Sequence, residues 1–313
     1  MLVSICMPAY NSSTYIAGTL DSIRKQRYQN WELIVADDAS TDGTKEIVEE
    51  FARQVPQKVS YIRNKKNLGV AATRNVAADN SKGNWIAMMD SDDLWHEDHL
   101  SSLVSTSLAH PDCDLVHGSV RIFDSQTGKI IFRQSLADET INQFPISLFT
   151  GSYSIQTCSV MITRKLYEST GGSDINFKYA DDLELWFRCA RGGFKFAFTG
   201  KETCYYRKHP AGLSSQPLQM TLDTAMVYDI HSDWETIPKK MRFKYASTAW
   251  LSVARMARSK NLALAKESLS KSMKYKFTLK HLGYWIFFRL PFLNNLKWPI
   301  AFKPLRPAGG LSA

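Results

Sequence analysis

The stretch Trp85-Ile86-Ala87-Met88-Met89-Asp90-Ser91-Asp92-Asp93 decides the fold class of this chain. Its first five residues are apolar and predict a buried strand, and three carboxylates follow within four residues. Open α/β sheets bind ligands at the carboxyl ends of their strands, so these acids are expected at a ligand site. Carboxylates this close repel one another, and a hard divalent cation is a common partner that keeps them ionised. A solvated turn or a helix cap is the alternative for an isolated motif of this kind.

The remainder of the N-terminal half alternates strand-like and helix-like stretches, as parallel sheets with crossover helices do. The predicted elements are strands at 2–7, 31–36 and 59–63 and helices at 15–27, 44–54 and 71–78. A second acidic pair, Asp37 and Asp38, lies at the end of the strand 31–36. Both acidic clusters are therefore expected at the same edge of one sheet.

The pattern beyond residue 110 is less regular. Residues 114–123 and 129–134 predict a hairpin, and 152–163, 194–198 and 203–207 predict further strands. Apolar residues at helical spacing predict a helix over 181–191 that ends at Gly192 and begins with Asp181 and Asp182. From about residue 216 the pattern is helical, and 241–258 and 262–273 are expected to form an antiparallel helix pair.

Length and composition indicate one large α/β domain with an appendage. The chain has 313 residues, of which 44% are hydrophobic and 22% are charged. Its five cysteines are widely separated and show no zinc-site or redox spacing, which predicts reduced core residues of a cytosolic protein. The N-terminus lacks the basic segment of a signal peptide, and the best apolar run near the C-terminus is interrupted by Arg289 and Pro291. We therefore expect no membrane-spanning segment.

The net charge of +9 belongs mostly to the C-terminal tail. From Ser268 onward there are eight Lys or Arg residues and no acid, which leaves +1 for the rest of the chain. Cations alternate with aromatic residues over 275–306, a combination that suits an anionic membrane surface. A basic helical subdomain packed on the main domain or on a partner chain is the alternative. Binding of nucleic acid is not expected, because no recognised nucleic-acid module accompanies the charge.

The order of the motifs resembles that of the inverting family 2 glycosyltransferases, which have the GT-A fold. The resemblance covers about residues 1–215 and implies an α/β domain with a mixed, mainly parallel sheet and flanking helices. It implies a nucleotide-sugar half at about 1–110, an acceptor half at about 111–215, and a helical extension over 216–313. The motifs that carry it are Pro8-Ala9-Tyr10-Asn11, Asp37 to Thr44, Asn67-Leu68-Gly69 with Arg74-Asn75, Asp90 to Asp93, Asp181-Asp182, and Tyr206-Arg207-Lys208-His209.

The resemblance also implies roles for single residues on the donor side. Asp38 would accept the imide N–H of a pyrimidine beside Tyr10, and buried polar pairing of this kind discriminates strongly between ligands. The metal, Mn²⁺ or Mg²⁺, would be held by Asp92, Asp93 and His209. The expected nucleotide-binding set is Pro8, Ala9, Tyr10, Asp38, Arg74, Asp90 and Ser91.

On the acceptor side the resemblance assigns the general base to Asp182, which would take the proton of the attacking hydroxyl. The family usually has Glu where this chain has Asp181, so Asp181 is expected to support rather than to react. Direct displacement needs no nucleophilic side chain. Taken alone, Asp182 could instead be a helix-capping acid, and Arg74 could cap its helix or pair with Asp79.

The predicted function is thus metal-dependent, inverting transfer of a sugar from a nucleotide-sugar donor, by family frequency a UDP-sugar. The expected acceptor is a sugar hydroxyl, lipid-linked, in surface polysaccharide synthesis, with the protein peripheral on the inner face of a bacterial cytoplasmic membrane. A catalytically silent protein that only binds nucleotide-sugars is the alternative from another class. A nucleotidyltransferase is disfavoured, because the first loop lacks a Gly-rich phosphate-binding sequence.

Overall fold

The computed structural model describes residues 1–289, which form two compact units. The first unit comprises residues 1–141 and 155–212, and the second comprises 142–154 and, among the described residues, 213–289. Residues 142–154, which belong to the expected acceptor half, thus pack with the second unit. The expected domain boundary near 215 stays a prediction, and residues 290–306 of the predicted tail lie outside the described part.

The first unit is built on one mixed sheet of nine strands within the described residues. The strand order is β3-β2-β1-β4-β8-β6-β9-β5, and β7 pairs with β6 alone. Strands β3, β2, β1 and β4 are parallel, and β6 is parallel to β9. The strands are β1 Val3–Ala9, β2 Trp31–Asp37, β3 Val59–Arg63, β4 Trp85–Met88, β5 Leu94–Trp95, β6 Leu115–Asp124, β7 Ile130–Arg133, β8 Val160–Thr163 and β9 Phe196–Lys208.

Helices follow most strands of the N-terminal half, and the described residues after β9 are mainly helical. They are α1 Ile16–Arg24, α2 Thr44–Gln54, α3 Val70–Asp79, α4 His99–Ala109, α5 Asp138–Asn142, α6 Ile146–Thr150, α7 Arg164–Thr170, α8 Asp181–Arg191, α9 Pro217–Ile230, α10 Lys239–Ala257, α11 Leu262–Tyr275 and α12 Leu279–Arg289. The alternation of strand and helix up to β4 confirms the predicted α/β class. Every residue of β1 and β2 is buried, as expected for central strands covered on both faces.

Three of the predicted strands differ in extent from the observed ones. Of the segment 152–163, only Val160–Thr163 is a strand, and a 3₁₀ turn over Thr157–Ser159 precedes it. The segments 194–198 and 203–207 form the single strand β9, because β6 pairs with β9 on both sides of an irregularity in register. Gly200 has φ +70° within that irregularity and marks a bulge in the strand.

The second unit is helical in its described residues and packs around α10. Helices α10 and α11 contact each other along their lengths, as predicted for the helix pair. Tyr284 of α12 is buried in their apolar cluster with Leu251, Ala254 and Leu269. No helix within residues 1–289 combines the length and the apolar character needed to cross a bilayer.

Candidate active site

The loops that follow β1, β2 and β4 are tied together at one edge of the sheet. The Ser12 backbone N–H donates to Thr44 Oγ1 at 2.9 Å, and the Ser12 and Ser91 hydroxyls are 2.8 Å apart. Asn11 and Ala39 have φ of +46° and +66°, a conformation that is uncommon for residues with a side chain. Such strain persists only where the surroundings fix the backbone, and it is frequent at functional sites.

The residues expected around the nucleotide lie at this edge. Pro8 and Ala9 are buried in β1, and the Ala9 carbonyl accepts a hydrogen bond from the Asp38 N–H at 2.8 Å. Tyr10 follows them with 53% of its surface exposed, so its ring is available to a ligand. Ser91 is buried, and its carbonyl accepts a hydrogen bond from the Thr19 hydroxyl at 3.0 Å.

The carboxylate of Asp38 is enclosed by the loop before α3. Its Oδ1 accepts hydrogen bonds from the Leu68 N–H at 2.8 Å and from Asn64 Nδ2 at 2.9 Å, and its Oδ2 accepts one from the Gly69 N–H at 2.9 Å. Gly69 has φ +88°, a backbone conformation that residues with a side chain rarely adopt. Asp38 therefore shapes the Leu68-Gly69 loop, and any nucleotide that contacts Asp38 shares its carboxylate with this loop.

The acidic turn after β4 gives its three carboxylates different surroundings. Asp93 is fully buried and accepts the Arg207 N–H on Oδ1 at 2.7 Å. Burial and the charges of Asp92 and Asp90 raise the pKa of Asp93 well above its usual range. The pKa of Asp90 is also raised by burial and by Asp92, against the opposing effect of Arg74. Asp92 has the most exposed side chain of the three, at 33%.

Asp92 and His209 are brought together, with Nε2 of His209 2.8 Å from Oδ2 of Asp92. The other ring nitrogen of His209 and Oδ2 of Asp93 are buried and lack a hydrogen-bond partner in the described structure. An accessible carboxylate beside an imidazole fits a divalent cation. The side chains of Asp92, Asp93 and His209 do not converge into a three-ligand cluster, so ligand oxygens would have to complete the coordination.

Another group of possible metal ligands is His96, Glu97 and Asp98. Within the described residues, these are the only three His, Cys, Asp or Glu side chains whose ligand atoms converge. Both acids of that group are paired with Arg27. This group forms surface ion pairs, and a metal ion would have to displace the Arg27 guanidinium to bind there.

Arg207 fixes the acidic turn from the neighbouring strand. Its Nε donates to the Asp92 carbonyl at 2.6 Å, in addition to the backbone hydrogen bond to Asp93. Its guanidinium lies over the rings of Tyr15 and Phe123, 5.0 and 4.9 Å from their centres. The Tyr15 ring also packs against His209, with ring centres 4.5 Å apart. Arg207 therefore holds the acidic turn in place and also packs on the Tyr15 ring that contacts His209.

Arg74 bridges two acids that are far apart in sequence. Its Nη2 donates to Asp90 Oδ1 at 3.0 Å, and its Nη1 donates to Asp181 Oδ2. The guanidinium is buried, with 7% of the side chain exposed. Asp79 accepts the Tyr167 hydroxyl at 2.6 Å, and the acids paired with Arg74 are Asp90 and Asp181, so the alternative pairing of Arg74 with Asp79 was wrong.

Asp182 lies in the first turn of α8, next to Asp181. Its Oδ1 accepts a hydrogen bond from the Leu183 N–H at 2.7 Å, and its Oδ2 accepts one from the Thr157 hydroxyl at 3.2 Å. Burial and the charge of Asp181 raise the pKa of Asp182 to about 6, against the opposing effects of the Leu183 N–H, Arg74 and Thr157. A carboxyl with this pKa is ionised at neutral pH and is a stronger base than an ordinary Asp.

Three residues that contact the predicted site residues were not predicted from the sequence: Arg207, Asn64 and Thr157. Arg207 belongs to a quoted motif, and its alternation with His209 along a strand could have indicated a neighbouring role. Asn64 follows β3 at the same sheet edge as Asp38, which is a usable signal. Thr157 lies in an irregular segment, and nothing in its local sequence indicates that it reaches Asp182.

The mixed sheet, with an acidic turn after β4 at its edge, is the architecture of a glycosyltransferase domain. Residues 4–169 match the Glycosyl transferase family 2. The chain belongs to this family and is a glycosyltransferase.

Similar proteins agree with this assignment. Over 216 residues the chain is 29% identical to WfaP of Escherichia coli, a UDP-Glc:alpha-D-GlcNAc-diphosphoundecaprenol beta-1,3-glucosyltransferase, covering 68% of this chain and 80% of WfaP. The crystal structure of S. aureus TarS 1–349 with UDP-GlcNAc superposes with TM-score 0.66 at 19% identity, covering 88% and 81% of the two chains. Mannosyltransferase PcManGT from Pyrobaculum calidifontis, in complex with GDP-Man and Mn²⁺, superposes with TM-score 0.60 at 21% identity, covering 91% and 78%. The two structures establish the likeness of fold and confirm the GT-A class.

Proposed function

We propose that this glycosyltransferase moves a sugar from a UDP-sugar to a hydroxyl of a lipid-linked saccharide, with inversion and with the help of a divalent cation. The observation that carries the proposal is the bridge by Arg74, which places the acidic turn and the start of α8 in one network. A donor diphosphate at the turn and an acceptor hydroxyl at Asp182 would then lie within one site.

In the proposed reaction, the acceptor oxygen forms a bond to the anomeric carbon while the bond from that carbon to the diphosphate breaks. The hydroxyl proton passes to the Asp182 carboxylate, and the bonding electron pair leaves with the nucleoside diphosphate. Thr157 and the Leu183 N–H orient the carboxylate for this transfer. Residues Asp38, Tyr10, Pro8 and Ala9 bind the nucleotide in the proposal, and Asp90, Ser91 and Arg74 lie on the sugar and phosphate side.

Asp92, Asp93 and His209 are the proposed metal-binding residues. A divalent cation, Mn²⁺ or Mg²⁺, would neutralise the charge that develops on the departing diphosphate. The accessible Asp92 carboxylate and the unpartnered His209 Nδ1 support the assignment. The Mn²⁺ complex of PcManGT is in keeping with it.

The UDP donor and the lipid-linked acceptor are supported by relatives. The name of WfaP specifies UDP-Glc and a diphosphoundecaprenol-linked sugar, and the TarS structure contains UDP-GlcNAc. Surface polysaccharide synthesis is the corresponding role proposed for this chain. Family membership favours this reading over a silent nucleotide-sugar-binding protein. Transfer of labelled sugar from UDP-Glc or UDP-GlcNAc to extracted membrane lipid tests it, and absence of product with every nucleotide-sugar would contradict it.

We propose further that the C-terminal part of the chain holds the enzyme on the inner face of the cytoplasmic membrane. Helix α12 is anchored by its buried residues His281 and Tyr284, while Phe277, Leu279 and Leu282 are 62%, 85% and 40% exposed. An exposed apolar surface among lysines, without acids, is the pattern of interfacial helices.

The membrane proposal is tested by sedimentation with vesicles of phosphatidylglycerol or of phosphatidylcholine. Binding is expected to the anionic vesicles, and Leu282→Ser and the double variant Lys274→Glu/Lys276→Glu should weaken it. Leu108→Ser is the control, because Leu108 is 71% exposed on α4 of the other unit. Equal binding of all variants would contradict a role for α12.

A further inference from the structure

Arg74 is placed to act on the acceptor side of the site as well as on the donor side. It belongs to α3, and its two terminal nitrogens contact Asp90, which follows β4, and Asp181, which opens α8. All three residues belong to the first unit. One buried cation therefore holds the start of α8 to the loop that carries the acidic turn.

The same contacts leave little of the guanidinium for another anion. Both terminal nitrogens are bound to carboxylates, and the remaining nitrogen, Nε, is buried. Burial opposes the charge of Arg74, but Asp181 and Asp90 outweigh it and raise the pKa of Arg74 above its usual value. The residue stays a cation at every pH at which the enzyme could be assayed.

Asp182 lies directly beside this bridge. The charged groups that act on it are Asp181 of its own helix and Arg74 of α3, and its polar contacts are Thr157 and the Leu183 N–H. The charge of Asp181 favours the protonated form of Asp182, and the charge of Arg74 favours the ionised form. Removing Arg74 would leave Asp182 next to an uncompensated carboxylate.

We propose that Arg74 is a positioning residue for the general base: it fixes the start of α8 against the acidic turn and occupies Asp181, so that the acceptor proton goes to Asp182. This inference rests on the proposed function, and it differs from the expected role of Arg74 as a phosphate ligand. In the transfer step no proton moves to or from the Arg74–Asp181 pair. The hydroxyl proton moves to Asp182 alone as the bond to the diphosphate breaks.

The test compares the pH profiles of kcat/KM for the wild type, Arg74→Gln, Arg74→Lys and Asp181→Asn. In Arg74→Gln the acid limb should move to higher pH, and kcat should fall by about 100-fold, as is typical when a reacting group is misplaced. The acid limb and kcat of Arg74→Lys should lie between those of the wild type and Arg74→Gln, because an ammonium keeps the charge but lacks the planar guanidinium geometry. In Asp181→Asn the limb should move to lower pH.

An acid limb that stays in place in Arg74→Gln overturns the proposal, and a weakened affinity for UDP in calorimetry would then assign Arg74 to the phosphates. Arg121→Gln is the matched control, because it removes another arginine that is paired with an acid, Glu202. It should leave the limb unchanged. If Arg74→Gln does not fold, Arg74→Lys decides: an acid limb at higher pH than in the wild type supports the proposal, and an unmoved limb overturns it.

A readout without turnover separates this inference from the proposed function. Carboxyl ¹³C NMR follows the titration of Asp182, assigned by the signal lost in Asp182→Asn. If the wild type transfers no sugar, the proposed function fails, and this titration still tests the bridge. A higher titration midpoint in Arg74→Gln than in the wild type supports it, and identical midpoints in these two proteins overturn it.

Discussion

His209 Nε2 lies 2.8 Å from Asp92 Oδ2, which joins the residue after β9 to the acidic turn after β4. Because these are the proposed metal-binding groups, His209→Ala should weaken Mn²⁺ binding by about 10- to 100-fold. Calorimetric titration of Mn²⁺ in the presence of UDP measures this effect without turnover. His110→Ala removes an exposed histidine and is the control. Equal Mn²⁺ affinity in His209→Ala and wild type would contradict the role of His209.

Asp92→Ala should reduce the response of the transfer rate to Mn²⁺, because the most accessible carboxylate of the turn is lost. Higher Mn²⁺ concentrations should be needed for half-maximal rate. The measurement is the transfer rate over a series of Mn²⁺ concentrations at fixed donor. An unchanged dependence would remove Asp92 from the proposed ligands.

The pKa of Asp182, raised to about 6, predicts the pH dependence of the reaction. A base acts only when ionised, so kcat/KM should be constant above this pH and should fall as the pH drops through about 6. Asp182→Asn should abolish transfer while the affinity for UDP changes little. Retention of full activity by this variant would refute the assignment of the base.

Thr157 donates its hydroxyl hydrogen to Asp182, and this hydrogen bond favours the ionised carboxylate. Thr157→Val should therefore raise the pKa of Asp182 further and move the acid limb of kcat/KM to higher pH. Hydrogen bonds to charged groups are worth about 1.5–3 kcal/mol, so a loss of roughly ten- to a hundredfold below the limb is expected. Thr157→Ser should restore the wild-type profile. A limb that does not respond to Thr157→Val would show that the contact has no electrostatic role.

Gly69 offers a test of the loop that encloses Asp38. Gly69→Ala places a side chain at φ +88°, and such strain costs about 1–3 kcal/mol. UDP affinity should fall with the stability, since the Leu68-Gly69 loop would no longer bind Asp38. Urea unfolding and UDP titration measure the two effects. Gly128→Ala, at φ +68° in the exposed hairpin turn, should lose stability alone, and equal UDP affinity in both variants would contradict the role of the loop.

Much of the first half of the fold was predictable, because periodicity alone locates buried strands and amphipathic helices. The predicted helix 44–54 and strand 59–63 have the observed bounds, and helix 181–191 begins and ends as expected. The continuity of β9 was not predictable, because its bulge depends on pairing with β6 rather than on local sequence. Likewise, the local sequence of α6 does not reveal that this segment packs with the second unit.

The site was predictable at the level of sheet edge and acid clusters, and less so at the level of contacts. Asp90 and Asp181 are more than ninety residues apart, and only the folded chain shows that one guanidinium joins them. Asp93 adjoins Asp92 in sequence, yet full burial gives its carboxylate very different surroundings. Such differences depend on β9, which contributes Arg207, and on His209, which follows it.

Sugar transfer is tested directly by the release of nucleoside diphosphate from UDP-, dTDP- and GDP-sugars with total membrane lipid as acceptor. Each donor is assayed with Mn²⁺, with Mg²⁺ and with chelator, in the wild type and in Asp182→Asn. We expect metal-dependent turnover of a UDP-sugar by the wild type and none by the variant. Release that persists with chelator, or in Asp182→Asn at the wild-type rate, would contradict it.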